Sequence, residues 1–278
     1  MIDLYHKVCD HTSERTTKTY STSFSLGIYL LSKRFRQPIY NIYGFVRFAD
    51  EIVDTFHGHD QARLLRKFRS DTYEAITDGI SLNPILHSFQ KVVNEYGIEH
   101  ELVNTFLDSM AMDLKDQTYN PEKFQQYILG SAEVVGLMCL HVFTEGDKTR
   151  YQKLRPYAMA LGSAFQKINF LRDLRHDAMD LGRNYFPDVD VYKLDDETKQ
   201  RIQDDIHKDF DVALQGIMQL PRSSRFGVYV AYTYYYQLFL KIKRTPAHRV
   251  LRERIRIPNL QKYALLFNSY IKHSANLF

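Results

Sequence analysis

Apolar residues recur every three to four positions along nearly all of this 278-residue chain, as in Leu64–Phe68–Tyr73–Ile76, Leu102–Phe106–Met110–Leu114 and Phe124–Ile128–Val135. That spacing places them on one face of a helix. No segment sustains the period-2 alternation of a half-buried strand, so a sheet has no support. The prolines agree. Asn83-Pro84 and Asn120-Pro121 each read as an N-cap followed by Pro at the first helical position. Pro187, Pro221 and Pro258 fall where other helices should stop or start, and Pro156 is expected to begin or kink one. Hydroxyl and β-branched residues crowd Thr19–Ser25, which predicts a short non-helical segment there. No Gly/Ser linker, low-complexity run or solenoid repeat divides the chain, so residues 1–278 are read as a single all-α domain.

Composition excludes several classes. Hydrophobic residues at 44% and charged residues at 25% describe a globular chain, not a disordered one. Cys9 and Cys139 form neither a disulfide framework nor a Cys-x-x-Cys pair, which fits a reducing compartment. The N-terminal MIDLYHKVCDHTSER lacks the apolar run of a signal peptide. Phe226–Leu240 falls short of the roughly 18 apolar residues of a membrane span. A cytoplasmic location is therefore expected. The net charge of +4 gives no reason to invoke nucleic acid.

Two rows of polar side chains stand out against this background. In GFVRFADEIVD, Tyr43, Arg47, Asp50 and Asp54 lie three or four apart, so a helix would align them on one face. Their neighbours are apolar: Ile42, Phe45, Val46, Phe48, Ala49, Ile52 and Val53. Acids at i and i+4 repel, so helix energetics do not account for them. A second row, Gln166–Asn169–Asp173–Asp177, repeats the spacing about 120 residues later, with Arg172 and Arg175 beside it. One such row reads as a solvated face; two in one helical chain are hard to explain that way.

Carboxylates from two facing helices suit a hard divalent cation, and Mg2+ is commonly held by one or two carboxylates together with substrate phosphates. Zinc is disfavoured without a His/Cys set. Arg47 and Arg172 could grip phosphate oxygens as bidentate forks. There is no G-x-G-x-x-G and no Walker A loop, so the diphosphate would be carried by something other than a nucleotide.

On these residues the chain resembles the squalene/phytoene synthase family, head-to-head prenyl synthases with the all-α isoprenoid-synthase helical bundle around a central cavity. The resemblance runs from about Ser21 to past Arg254. It rests on DEIVD (Asp50–Asp54), DLRHD (Asp173–Asp177), the preceding Arg47 and the trailing GRNYFP (Gly182–Pro187), and it looks most like phytoene synthases. It implies that Asp50, Asp54, Asn169, Asp173 and Asp177 organise two or three Mg2+ ions, for which Mn2+ could substitute. It implies that Tyr20, Ser21, Thr22, Ser23, Tyr43, Arg47, Gln166, Asn169, Arg172, Tyr236 and Arg254 contact the prenyl diphosphates. The catalytic set would be Asp50, Asp54, Asp173, Asp177, Arg47 and Tyr43, with Tyr43 or the released diphosphate accepting the final proton. Glu133 departs from the pattern, standing where the family often has glycine in a helix expected to line the cavity.

The implied reaction joins two geranylgeranyl diphosphates through a cyclopropylcarbinyl diphosphate to phytoene, without NADPH. Farnesyl diphosphate giving dehydrosqualene or squalene is the alternative. Allylic cations require a cavity kept from water, and aromatic faces can stabilise them by roughly 0.5–2 kcal/mol each. The 20 Tyr and 18 Phe suggest such walls, with the Tyr232–Tyr236 run among them. Two other readings compete. His176-Asp177 suggests an HD-type metal phosphohydrolase, for which His57, His59, His87 and His100 are too scattered. A non-enzymatic scaffold would use the acids in salt bridges with Arg47, Arg172 and Arg175. Finally, Lys241–Lys262 carries eight Lys/Arg and one acid, Glu253. It reads as a solvated basic face, or as a peripheral contact with anionic lipid at the inner face of the membrane while Arg254 turns inward.

Overall fold

A computed structural model describes residues 2–115, 118–187, 189–190 and 193–258. Twelve α-helices follow one another among them: α1 (Ile2–Tyr20), α2 (Thr22–Tyr29), α3 (Lys33–Asp54), α4 (Gln61–Asp78), α5 (Pro84–Tyr96), α6 (His100–Asp113), α7 (Pro121–Ile128), α8 (Val134–Thr144), α9 (Lys148–Met179), α10 (Asp196–Gln219), α11 (Arg222–Arg244) and α12 (Ala247–Val250). A π-helical turn, Leu129–Glu133, joins α7 to α8. The described residues contain no strand, only an isolated bridge between Thr118 and Asn184. The all-α expectation holds.

The helix starts follow the side-chain chemistry. Asn83 Oδ1 accepts from the backbone N–H groups of Ile85 and Leu86, and Asn120 Oδ1 from that of Lys123, each with Pro at the first helical position. Pro221 caps α11, while Pro187 lies between α9 and α10 and Pro258 beyond α12. Pro156, expected to begin or kink a helix, lies inside α9, which runs through it as α3 runs through Pro38. One expectation needs correction. The Thr19–Ser25 segment is helical except at Ser21, whose hydroxyl accepts from the Phe24 N–H and restarts the helix as α2. The hydroxyls that argued against helix there are capping one.

Two hydrophobic clusters form the interior. One is built on α3 to α6 and α8, where Phe45 stacks on Phe89 at 3.8 Å between ring centroids and also meets Phe68 and Phe106. The other gathers around α9, α10 and α11, with Phe210, Leu238 and Phe239 fully buried. Between them lies a cavity of about 330 Å3. At its edge α2 and α11 cross at two glycines: a Cβ on Gly227 would stand 2.6 Å from the Gly27 carbonyl oxygen. That close approach admits no side chain.

By length and composition Pro121–Thr144 is apolar enough to cross a membrane, although 56% of its most apolar window is buried in the protein. It exceeds Phe226–Leu240, the stretch that stood out in the sequence, and here it is a core helix. Tyr232 and Tyr235 are buried, and Tyr232 and Tyr236 pack on Phe210 of α10. The tyrosine run is therefore core and not cavity wall. On α11 the wall is made by the smaller Gly227, Val228 and Ala231.

Candidate active site

The two polar rows lie on α3 and α9 and converge on the mouth of the cavity, which is lined by Tyr43 and Asp50 from α3 and by Gln166 and Asn169 from α9. Below them the lining is apolar, and its aromatics are Phe24, Tyr43, Tyr127, Phe143, Tyr157 and Phe165. A volume of this order, apolar with a few polar groups at one end, is that of a small-molecule site.

The acids strain against one another. Burial and then the charge of Asp54 push the Asp50 carboxyl up to about 7. Burial, followed by Asp173 and Asp54, pushes Asp177 up to about 8. Asp54 thus bears on both rows. No three His, Cys, Asp or Glu side chains among the described residues close on a single point. Such a donor set suits ions that take one or two carboxylates each and complete their shell with phosphate oxygens and water.

The cations divide between the rows. Arg47 reaches Glu51 at 2.5 Å and Asp50 at 3.9 Å, and lies over the Tyr20 ring at 4.3 Å. Its Nε is buried and has no hydrogen-bond partner among the described residues, a donor available to an oxyanion. Arg172 Nε donates to Asp173 Oδ1 at 3.0 Å, and Arg254 Nε lies 2.7 Å from the same oxygen. Arg254 thus reaches the α9 row while remaining half exposed, carried by an irregular segment whose Ile255 and Ile257 are buried. The basic stretch also folds on itself, with Lys241 Nζ donating to the Arg256 carbonyl; its last member, Lys262, lies outside the described residues.

Most of the remaining expected contacts gather here. Ser21 hydrogen-bonds Tyr43, whose hydroxyl is held above the usual phenol range chiefly by burial. Asn169 Nδ2 donates to Gln166 Oε1 at 3.3 Å. Thr22 is exposed and Ser23 half-buried in the first turn of α2, and Tyr20 is exposed. Tyr236 lies elsewhere: its hydroxyl is 3.5 Å from His207 Nε2, facing α10. Its neighbour Tyr235 donates to Asn169 Oδ1 at 3.4 Å and stacks on Phe165. One residue rotates a helical position by about 100°, so the tyrosine that meets the row is Tyr235. Arg175 likewise turns away, donating to the Arg252 carbonyl.

Sequence reasoning missed a buried group beneath the rows. Asp113, at the end of α6, accepts from the hydroxyls of Tyr127 at 2.6 Å and Tyr185 at 3.0 Å, and Arg183 stands beside it. The apolar neighbours of Asp113 in the sequence carried no such signal; the GRNYFP motif did hold Arg183 and Tyr185.

Glu133, unexplained in the sequence, does not line the cavity; Ser131 and Ala132 do. Burial pushes its carboxyl up to about 7, with Asp209 raising it further and Lys167 opposing. Lys167, nearly fully buried, donates to Asp209 at 2.8 Å and Asp205 at 2.5 Å. Glu133 therefore belongs to a polar joint between the π turn, α9 and α10. Among the described residues the histidines form no metal set: His176 pairs with Asp180 on the surface, and His87 contacts His6 on α1.

Comparison with known proteins agrees with this fold. The squalene/phytoene synthase family profile matches residues 17–261. A phytoene synthase from Solanum lycopersicum is 26% identical over 242 residues, covering 81% of this chain and 58% of that protein. Its Arthrospira platensis counterpart is 26% identical over 275 residues, covering 90% and 88% respectively. A crystal structure of a dehydrosqualene synthase superposes with a TM-score of 0.84 at 19% identity, covering 97% of this chain and 98% of that one. A squalene synthase from Alicyclobacillus acidocaldarius superposes with a TM-score of 0.75, at 19% identity and with 87% and 95% coverage. The chain thus spans little more than half the length of the tomato enzyme and nearly all of the others, and the two solved structures share its fold. With the family profile extending over both aspartate rows, this chain belongs to the squalene/phytoene synthase family.

Proposed function

We propose that the protein condenses two molecules of geranylgeranyl diphosphate head to head, giving phytoene without a reductant. The observation that carries this reading is the placement of two aspartate rows and their arginines at the mouth of an apolar, aromatic-lined cavity. The phytoene synthase relatives support the C20 substrate. Mg2+, or Mn2+ in its place, would be held by Asp50 and Asp54 on one side and by Asn169, Asp173 and Asp177 on the other, where it supplies Lewis acidity to the departing diphosphate.

The chain's own groups do the rest. Arg47, through its unpartnered Nε, and Arg172 take the negative charge that develops on the leaving group. Tyr43, Gln166 and Asn169 set the depth at which the diphosphate stops, and the apolar wall below accepts the prenyl chain and excludes water. Phe24, Phe165 and the ring of Tyr43 stand near this boundary, where an allylic cation would form.

The test is incubation of the purified protein with Mg2+ and geranylgeranyl or farnesyl diphosphate, without NADPH. A C40 triene-absorbing hydrocarbon from the first is expected. A C30 product from farnesyl diphosphate alone would replace the substrate assignment, and no hydrocarbon from either would overturn the reading.

A further inference from the structure

Arg183 connects the two aspartate rows from beneath. Its backbone N–H donates to the carbonyl of Asp177 at 2.7 Å, closing the end of α9, and the chain reverses there through Gly182 at φ +67°. The reversal aims its side chain at the end of α3. Nη1 meets Asp54 Oδ1 at 2.7 Å, and Nη2 donates to the Val53 carbonyl at 3.1 Å. The same guanidinium stands 3.9 Å from Asp113 through Nε. The Arg183 side chain is 7% exposed and that of Asp113 3%. Tyr127, Tyr185 and Tyr119 all direct their hydroxyls at the Asp113 carboxylate.

We propose that Arg183 and Asp113 form a positioning pair for Asp54, in which Arg183 clamps the last turn of α3 toward α9 while Asp113 shares its charge and leaves Asp54 available to a divalent cation. This rests on the metal reading given above. A buried guanidinium needs a counter-charge, and here two carboxylates supply it. Without Asp113, more of the attraction of Arg183 falls on Asp54, and an incoming cation must compete with a tighter ion pair. With Asp113 ionised and held by three phenols, Asp54 can give up part of its hold on Arg183 at little cost. Arg183 remains paired in either state. Partners of this kind, one bond behind a ligand, commonly change metal affinity by about 10- to 100-fold.

The experiment measures Mn2+ affinity by electron paramagnetic resonance, with inorganic diphosphate as the second probe, alongside circular dichroism as a check of folding. Asp113→Asn keeps an acceptor for the tyrosines but removes the charge, and it is expected to bind Mn2+ at least about 10-fold more weakly. Arg183→Lys keeps one cation but cannot hold both Asp54 and the Val53 carbonyl, and a loss of similar size is expected. With Arg183→Gln measured alone to close the cycle, the double variant Asp113→Asn/Arg183→Gln should recover part of the loss of Asp113→Asn, because the competing cation is gone; a merely structural role would make the losses add. Turnover at saturating Mg2+ should fall less than turnover at low Mg2+. Should Asp113→Asn fail to fold, Arg183→Lys decides alone. Affinities within about twofold of the wild type, or additive losses, would overturn the pair. Absence of Mn2+ binding in the wild type would overturn the metal reading and this proposal with it.

Discussion

Asp50→Ala and Asp173→Ala are each expected to lower turnover by about 10^3-fold or more, the scale of losing a group that stabilises developing charge. The two should differ in binding. Asp50 opens on the cavity and its nearest cation, Arg47, is committed to Glu51. Its removal takes away a ligand and frees no arginine. Asp173 holds both Arg172 and Arg254. Removing it releases two guanidiniums toward the diphosphate, so KM should hold steady or fall while kcat collapses. Asp180→Ala, at an exposed acid paired with His176, is the control and should leave turnover unchanged. Steady-state kinetics at saturating Mg2+, with circular dichroism to show the helices intact, checks all three. Wild-type turnover in either aspartate variant would remove that residue from the metal set.

Glu133→Gln is expected to stabilise the protein in alkaline solution and not in acid. The Glu133 carboxyl is raised from 4.5 to about 7. A raised carboxyl binds its proton more tightly in the folded chain, so the stability it confers is present below about pH 4.5 and lost as pH rises through about 7. At pH 8 the wild type holds a third carboxylate against Lys167, beside Asp205 and Asp209. Glutamine removes that charge at equal size. Discounted for its partial exposure, the gain at pH 8 is about 1–2 kcal/mol, against about zero or a small loss at pH 5. Thermal melts of both proteins in chelator at the two pH values measure it. Asp50, Asp113 and Asp177 also titrate, but equally in both proteins, so the difference between them isolates Glu133. An equal shift at both pH values would mean that Glu133 acts by packing.

The helical fold was legible because every long helix buries one face, leaving a 3.6-residue stripe. The two rows were legible for the converse reason: Asp50–Asp54 and Asp173–Asp177 each place like charges one turn apart on a helix, where helix energetics disfavour them. What stayed hidden depends on tertiary contact. Asp113 is one acid at a helix end, and only folding brings three phenols onto it. Arg183 reaches Asp54 because Gly182 turns the chain, a direction that no periodicity records. Tyr235 and Tyr236 are distinguished by a helix rotation that pattern matching cannot supply. The aromatic excess divides between core and wall: six rings line the cavity, while Phe45, Phe89, Phe210 and Phe239 are solid core.

The central claim, that the two aspartate rows share divalent cations with a prenyl diphosphate, is tested most directly by anomalous diffraction. Crystals grown with Mn2+ and a non-ionising geranylgeranyl thiodiphosphate would locate metal and ligand together. The expected result is Mn2+ in direct contact with Asp50 or Asp54 on one side and with Asp173 or Asp177 on the other, the diphosphate between them and the prenyl chain in the cavity. Diphosphate bound away from both rows, or between them with no Mn2+ on any of the four aspartates, would contradict it.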